Sequence, residues 1–104
     1  MNSERQQNGS SFRASLSGGN PPSGFNGPVQ ALWWAARGDW DKAHTLIQDD
    51  DSREAAWVHA YLHRVEGDTA NAGYWYRRAS RKEANGPLEA EWAEIVAELL
   101  DAGA

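Results

Sequence analysis

The sequence predicts an all-α domain, and three of its features carry that prediction. Apolar residues recur at helical spacing in five successive segments between Pro28 and Asp101. Gly-Asp, Asp-rich or Asn-Gly-Pro steps separate those segments, and each step chemically stops one helix and starts the next. No alternation of apolar and polar residues runs long enough for a strand, and β-branched residues are few.

The first helix is expected from Pro28 to Arg37, because proline is tolerated at a helix start where its missing N–H is not needed. Val29, Leu32, Trp33 and Ala36 share its apolar face, and Trp34 points elsewhere. Gly38 ends it and Asp39 caps a second helix, Trp40 to about Gln48, with Trp40, Ala43 and Ile47 inward. Asp51 and Glu54 match a capping box for a third helix ending near Glu66, with Ser52 as a competing cap. Its stripe is Ala55, Val58, Leu62 and Val65. Gly67 and Asp68 repeat the stop-and-cap step, and a fourth helix reaches about Lys82 with Ala72, Trp75, Tyr76 and Ala79 inward. Arg77, Arg78, Arg81 and Lys82 crowd its last turns, where cations complement the helix dipole. After Asn85-Gly86-Pro87 a fifth helix runs to about Asp101, with Leu88, Trp92, Ile95 and Leu99 on one face and Glu89, Glu91, Glu94 and Glu98 on the other. Connections of one to four residues imply antiparallel neighbours.

Residues 1–27 are read as a disordered tail ahead of a 28–104 domain. They are rich in Ser, Gly, Asn, Gln and Pro, and their only large apolar groups are Phe12, Leu16 and Phe25. What remains is near the lower size limit for a single core, which favours bulky side chains such as the six tryptophans. The net charge is −5; Arg5 and Arg13 against Glu4 make the tail +1 and leave −6 on the domain. That balance disfavours nucleic acid and anionic membranes as partners. Without cysteine there is no disulfide, thiolate metal site or thiol nucleophile. No apolar run is long enough to span a membrane, and the N-terminus lacks a secretory apolar region, so the cytoplasm is the expected compartment.

The segments ARGDWDKAHTLI and VEGDTANAGYWY align on their Gly-Asp steps at an offset of 29 residues. Gly38 matches Gly67, Asp39 matches Asp68, Ala43 matches Ala72 and Ile47 matches Tyr76. Here the chain resembles a tetratricopeptide-like helical repeat, which places glycine, a polar residue and an aromatic at its hairpin turn, as in Gly38-Asp39-Trp40. Thr69 departs from that pattern, the unit is shorter than the usual 34 residues, and its closing proline is missing. The run WVHAYLHRVEGD…NAGYWYRRA is also similar to small uncharacterised bacterial proteins. The resemblance implies two antiparallel helical hairpins with the last helix as a cap. It also implies a groove lined by the first helix of each unit, here by Glu54, Trp57, Tyr61 and Arg64.

Two rings beside a guanidinium suit a peptide ligand, the rings as rigid anchors and the arginine as a two-point grip on a carboxylate. Tyr74, off its helix's main stripe, is a further candidate. The first expectation is thus an adaptor-like module that binds a protein, a peptide or a second copy of itself, with no cofactor and no catalytic role. The second is a metal- or small-ligand-binding protein or enzyme using His59 and His63. These stand at i and i+4 with Glu66 on the same side of the helix. HAYLH lacks the glutamate that follows the first histidine in zinc proteases. His44 is the one further histidine that could complete three ligands, and its position is not readable from the sequence.

Overall fold

In the computed structural model, which describes residues 11–101, the chain is all-α. The helices are α1 (Gly27–Ala36), α2 (Trp40–Ile47), α3 (Arg53–Val65), α4 (Thr69–Arg78) and α5 (Leu88–Asp101). A short 3-10 helix at Ser15–Ser17 follows a helical stretch at residues 11–14. None of the described helices is long and apolar enough to cross a membrane. At the centre is α3, which packs against all four other α-helices.

The two Gly-Asp steps fold alike, and their chemistry explains why. Gly38 and Gly67 take φ of 83° and 86°, a left-handed conformation that a Cβ disfavours. In each turn the glycine N–H reaches the carbonyl three residues back, Ala35 or Arg64, and the aspartate N–H reaches the one five back, Trp34 or His63. This pattern satisfies carbonyls that the ending helix leaves free. The aspartate side chain then accepts from the next helix's first turn, Asp39 from Lys42 N and Asp68 from Asn71 N, both at 3.1 Å.

Three boundaries differ from expectation. Ser52, not Asp51, caps α3 by accepting from Ala55 N, while Asp50 accepts from Ser52 N. Val65, expected inward, is 43 % exposed, because the buried part of α3 ends at His63. Helix α4 stops at Arg78 rather than near Lys82. There Ser80, at φ 61°, closes the same kind of turn as the two glycines: its N–H reaches Arg77 O, and Arg81 N–H reaches Tyr76 O. The connection to α5 is therefore nine residues long, and Arg81 and Lys82 lie on it instead of in a helix.

Expected to be disordered, residues 11–26 instead pack on the bundle, whereas residues 1–10 lie outside the described part. The only three large apolar groups of the segment are its anchors: Phe12 is fully buried, and Leu16 and Phe25 pack partly buried against the core. The Phe12 ring stacks on Trp92 at 6.0 Å and meets the Phe25 edge at 5.5 Å. Polar contacts add to this. Ser15 Oγ accepts from the Trp33 indole at 2.9 Å, and Arg37 donates to the carbonyls of Leu16 and Gly18. A composition too polar for a core of its own suffices to cover one edge of an existing core. Replacing Phe12 by alanine is expected to lower the unfolding free energy by about 3–5 kcal/mol in a urea titration. A loss under about 0.5 kcal/mol, the size of a surface substitution, would contradict this packing.

Candidate metal centre

The three histidines of the chain meet between α2 and α3. His44 comes from α2, and His59 and His63 come from successive turns of α3. One ring nitrogen from each lies within 4.8 Å of the others. His59 and His63 are buried and His44 is half-buried. The Nε2 atoms of His44 and His59 are 2.9 Å apart, so one ring donates to the other. His63 Nδ1 lies 2.7 Å from Glu66 Oε2. An ionised carboxylate only accepts, so that contact places a proton on Nδ1 and leaves Nε2 as the His63 nitrogen that could ligate a metal.

The local sequence positions each ring. Trp40, directly after the Asp39 cap, donates its indole N–H to Leu62 O at 2.7 Å and so ties the start of α2 to α3. One turn further along α2, His44 stacks on the Trp40 ring at 4.8 Å. Trp75 of α4 stacks on His59 at 3.8 Å, and His59 stacks on His63 at 5.0 Å. Glu66, the C-cap residue of α3, stands three residues after His63, a spacing that puts the two side chains on the same side of the helix end.

Burial first, then the neighbouring His44 and His63, pushes the His59 pKa down to about 4. His44 is also lowered, by burial and then by His63, against the opposing pull of Glu66 and Asp41. Both rings are thus neutral at pH 7, the form that binds a metal. Zinc–imidazole bonds of ~2.0–2.1 Å place two nitrogens roughly 3.3 Å apart on a tetrahedral ion, so the His44–His59 pair must open by only about 0.4 Å. The donor set suits zinc, cobalt, nickel or copper ions.

The residues expected to form an aromatic groove are placed differently. Trp57 and Tyr61 are buried, at 4 % and 7 % exposure. Trp57 donates its indole N–H to Glu91 Oε2 at 3.1 Å, Tyr76 donates its hydroxyl to the same oxygen at 2.5 Å, and Arg64 donates to Glu91 Oε1 at 2.7 Å. A second donation runs from Arg64 to Gly86 O. Glu91, assigned by sequence to an outward face, is therefore a buried acceptor for three side chains. Burial and then Glu91 raise the Tyr76 pKa above its ordinary value. Burial also raises that of Tyr61, with Glu91 adding to it. For Arg64, burial acts against the charge, but the hydrogen bond and charge of Glu91 outweigh it and hold the pKa up.

Glu54 and Trp57 do line a cleft of about 770 Å³, together with Arg53, Arg81, Glu94 and Glu98. The Arg81 guanidinium lies 3.4 Å from the centre of the Trp57 ring and also pairs with Glu98. Tyr61 and Arg64 do not line this cleft, and neither does Tyr74. Tyr74 is 43 % exposed on α4, where its hydroxyl accepts from Arg78. Sequence reasoning missed Glu91 as a buried acceptor, and it named His44 as a possible third ligand without being able to place it. The available signal was scarcity: three histidines in 104 residues, two of them one turn apart, make the third worth placing. Comparison of the chain with protein-family models, curated proteins and solved structures gives no match.

The depressed His59 pKa fixes the sign of a pH effect. Above its unfolded value of 6.5 the contribution is fully present, and it is lost as pH falls toward about 4, because the unfolded chain then binds the proton first. In chelator-treated protein the loss across that window is expected to be about 3 kcal/mol. Denaturant titrations of wild type and His59→Gln at several pH values measure it. Equal pH slopes for the two proteins would contradict the assignment.

Proposed function

We propose that this protein binds a divalent transition-metal ion through His44, His59 and His63. The convergence of all three histidines carries this reading, because it supplies the third ligand that the α3 pair lacks. The hydrogen bond from His63 to Glu66 supports it further, since metal-binding histidines characteristically donate their second ring nitrogen to a carboxylate. Without metal, the ligating Nε2 atoms of His44 and His59 satisfy one another at 2.9 Å.

Calorimetry with zinc or nickel tests this directly, with one ion per chain as the expected stoichiometry. At free metal a hundredfold above Kd the folded state gains about 2.7 kcal/mol, which raises the melting temperature. His44→Ala is the informative variant because His44 is only half-buried, and it is expected to weaken binding more than tenfold. The reading fails if wild type gives neither heat nor a melting shift.

A second reading, a protein- or peptide-binding module, is favoured by one observation: Glu54 and Trp57 share a sizeable cleft with cations and carboxylates of other elements. In it, α1–α2 and α3–α4 act as two repeat-like hairpins with α5 as a cap, a view supported by the matching turns at Gly38-Asp39 and Gly67-Asp68. Trp57 is too buried for a clean test, whereas Glu54 is exposed. Selection from a random-peptide library should yield a consensus that binds wild type and not Glu54→Lys, with both proteins melting alike. If no selected peptide depends on Glu54, the cleft is not the binding face.

A further inference from the structure

We propose that the metal ion held by the histidine cluster keeps an exchangeable coordination position, which takes a small anionic oxygen- or nitrogen-donor ligand. This rests on the metal-binding reading above and adds what the bound ion does.

The first argument counts donors. Zinc and cobalt complete at least four positions, and a site with three protein ligands leaves one for a non-protein group. Cysteine is absent from the sequence, and among the described residues the carboxylates that group with a histidine of the cluster are those of Glu66 and Asp68, beside His63. Both have other work. Glu66 Oε2 accepts from His63 Nδ1 at 2.7 Å. Asp68 caps α4, with Oδ1 accepting from Asn71 N at 3.1 Å and Oδ2 accepting from Asn71 Nδ2 at 3.3 Å. Drawing Asp68 onto the metal would undo the cap of α4, and drawing Glu66 on would release the His63 ring.

The second argument is electrostatic. Three neutral imidazoles leave a divalent ion with its full charge of about +2, in surroundings where His59 and His63 are buried. The Glu66 carboxylate acts through the His63 ring to which it is hydrogen-bonded. An anion at the remaining position, whether a solute or a bound water that has lost its proton, offsets that charge at bonding distance, which a fourth neutral ligand does not.

The third argument concerns access. Trp75 covers His59 face to face, and α3 backs both His59 and His63. The less covered members are His44, half-buried on α2, and Glu66, whose side chain is 39 % exposed. The more exposed edge of the cluster therefore lies between α2 and the end of α3, the side from which a small solute would approach a bound ion.

The test uses full-length protein loaded with cobalt(II), whose visible spectrum reports its ligands, and sodium azide as the probe anion. Azide is expected to shift the cobalt spectrum saturably with one-site behaviour, both in wild type and in Glu66→Gln. If cobalt binds but azide leaves the spectrum unchanged in both proteins, the coordination sphere is closed and the proposal is overturned, while metal binding stands. If azide acts only in Glu66→Gln, Glu66 is itself the fourth ligand and the proposal is equally overturned. If wild type develops no cobalt bands at all, the metal-binding reading fails and the proposal falls with it.

Discussion

Helix α3 is buried on every side over the nine residues from Ala55 to His63, and four of those residues carry polar atoms. A polar group taken out of water without a partner costs on the order of 1–3 kcal/mol, and Trp57, His59 and His63 each have one. Much of the remaining chain can be understood as that supply. Glu91 of α5 accepts from Trp57 and, beside it, from Tyr76 and Arg64. His44 of α2 pairs with His59, and Glu66 accepts from His63. Among the described residues no buried side-chain nitrogen or oxygen is left without a partner.

The two ends of α3 meet this constraint by different chemistry. At the Trp57 end the acceptor is a carboxylate with three donors around it, one of them charged. Such an arrangement binds its members to one another. At the His63 end two imidazoles face each other at 2.9 Å, and either ring can donate to the other. An interaction with interchangeable roles is readily exchanged for bonds to a metal ion, because neither ring loses a partner when both turn to the same ion. The difference is what makes the histidine end of α3 the candidate metal centre.

What the sequence revealed follows the range of the forces involved. Local terms were legible: the Gly-Asp steps, the Asp39 and Asp68 caps and the all-α class each depend on residues within one or two turns. Residues whose role is set by a distant partner were not. Glu91 sits among other glutamates on α5 and looks solvent-facing until Trp57 and Tyr76, 34 and 15 residues away, are known to point at it. His44 was recognised as a possible ligand, but only the packing of α2 on α3 decides whether it meets His59. Phe12 was misjudged for a related reason. A lone aromatic in a polar stretch has no period, and its burial depends on a slot between Phe25 and Trp92 that local pattern cannot reveal.

The repeated turn also shows how one backbone device carries two different loads. Both Gly-Asp turns hold the carbonyl five residues before the aspartate and fix the residue just before the glycine. In the first turn those two positions are Trp34 and Arg37, and the arginine reaches the backbone of the N-terminal segment. In the second they are His63 and Glu66, three apart on one helix end, so the same geometry delivers a carboxylate to an imidazole. The first turn contributes again through Trp40, which begins α2 and both donates to Leu62 O and stacks on His44. The histidine cluster thus depends on both turns at once. One orients His63, the other brings His44 to it, and the Trp40–Leu62 hydrogen bond sets the distance between them.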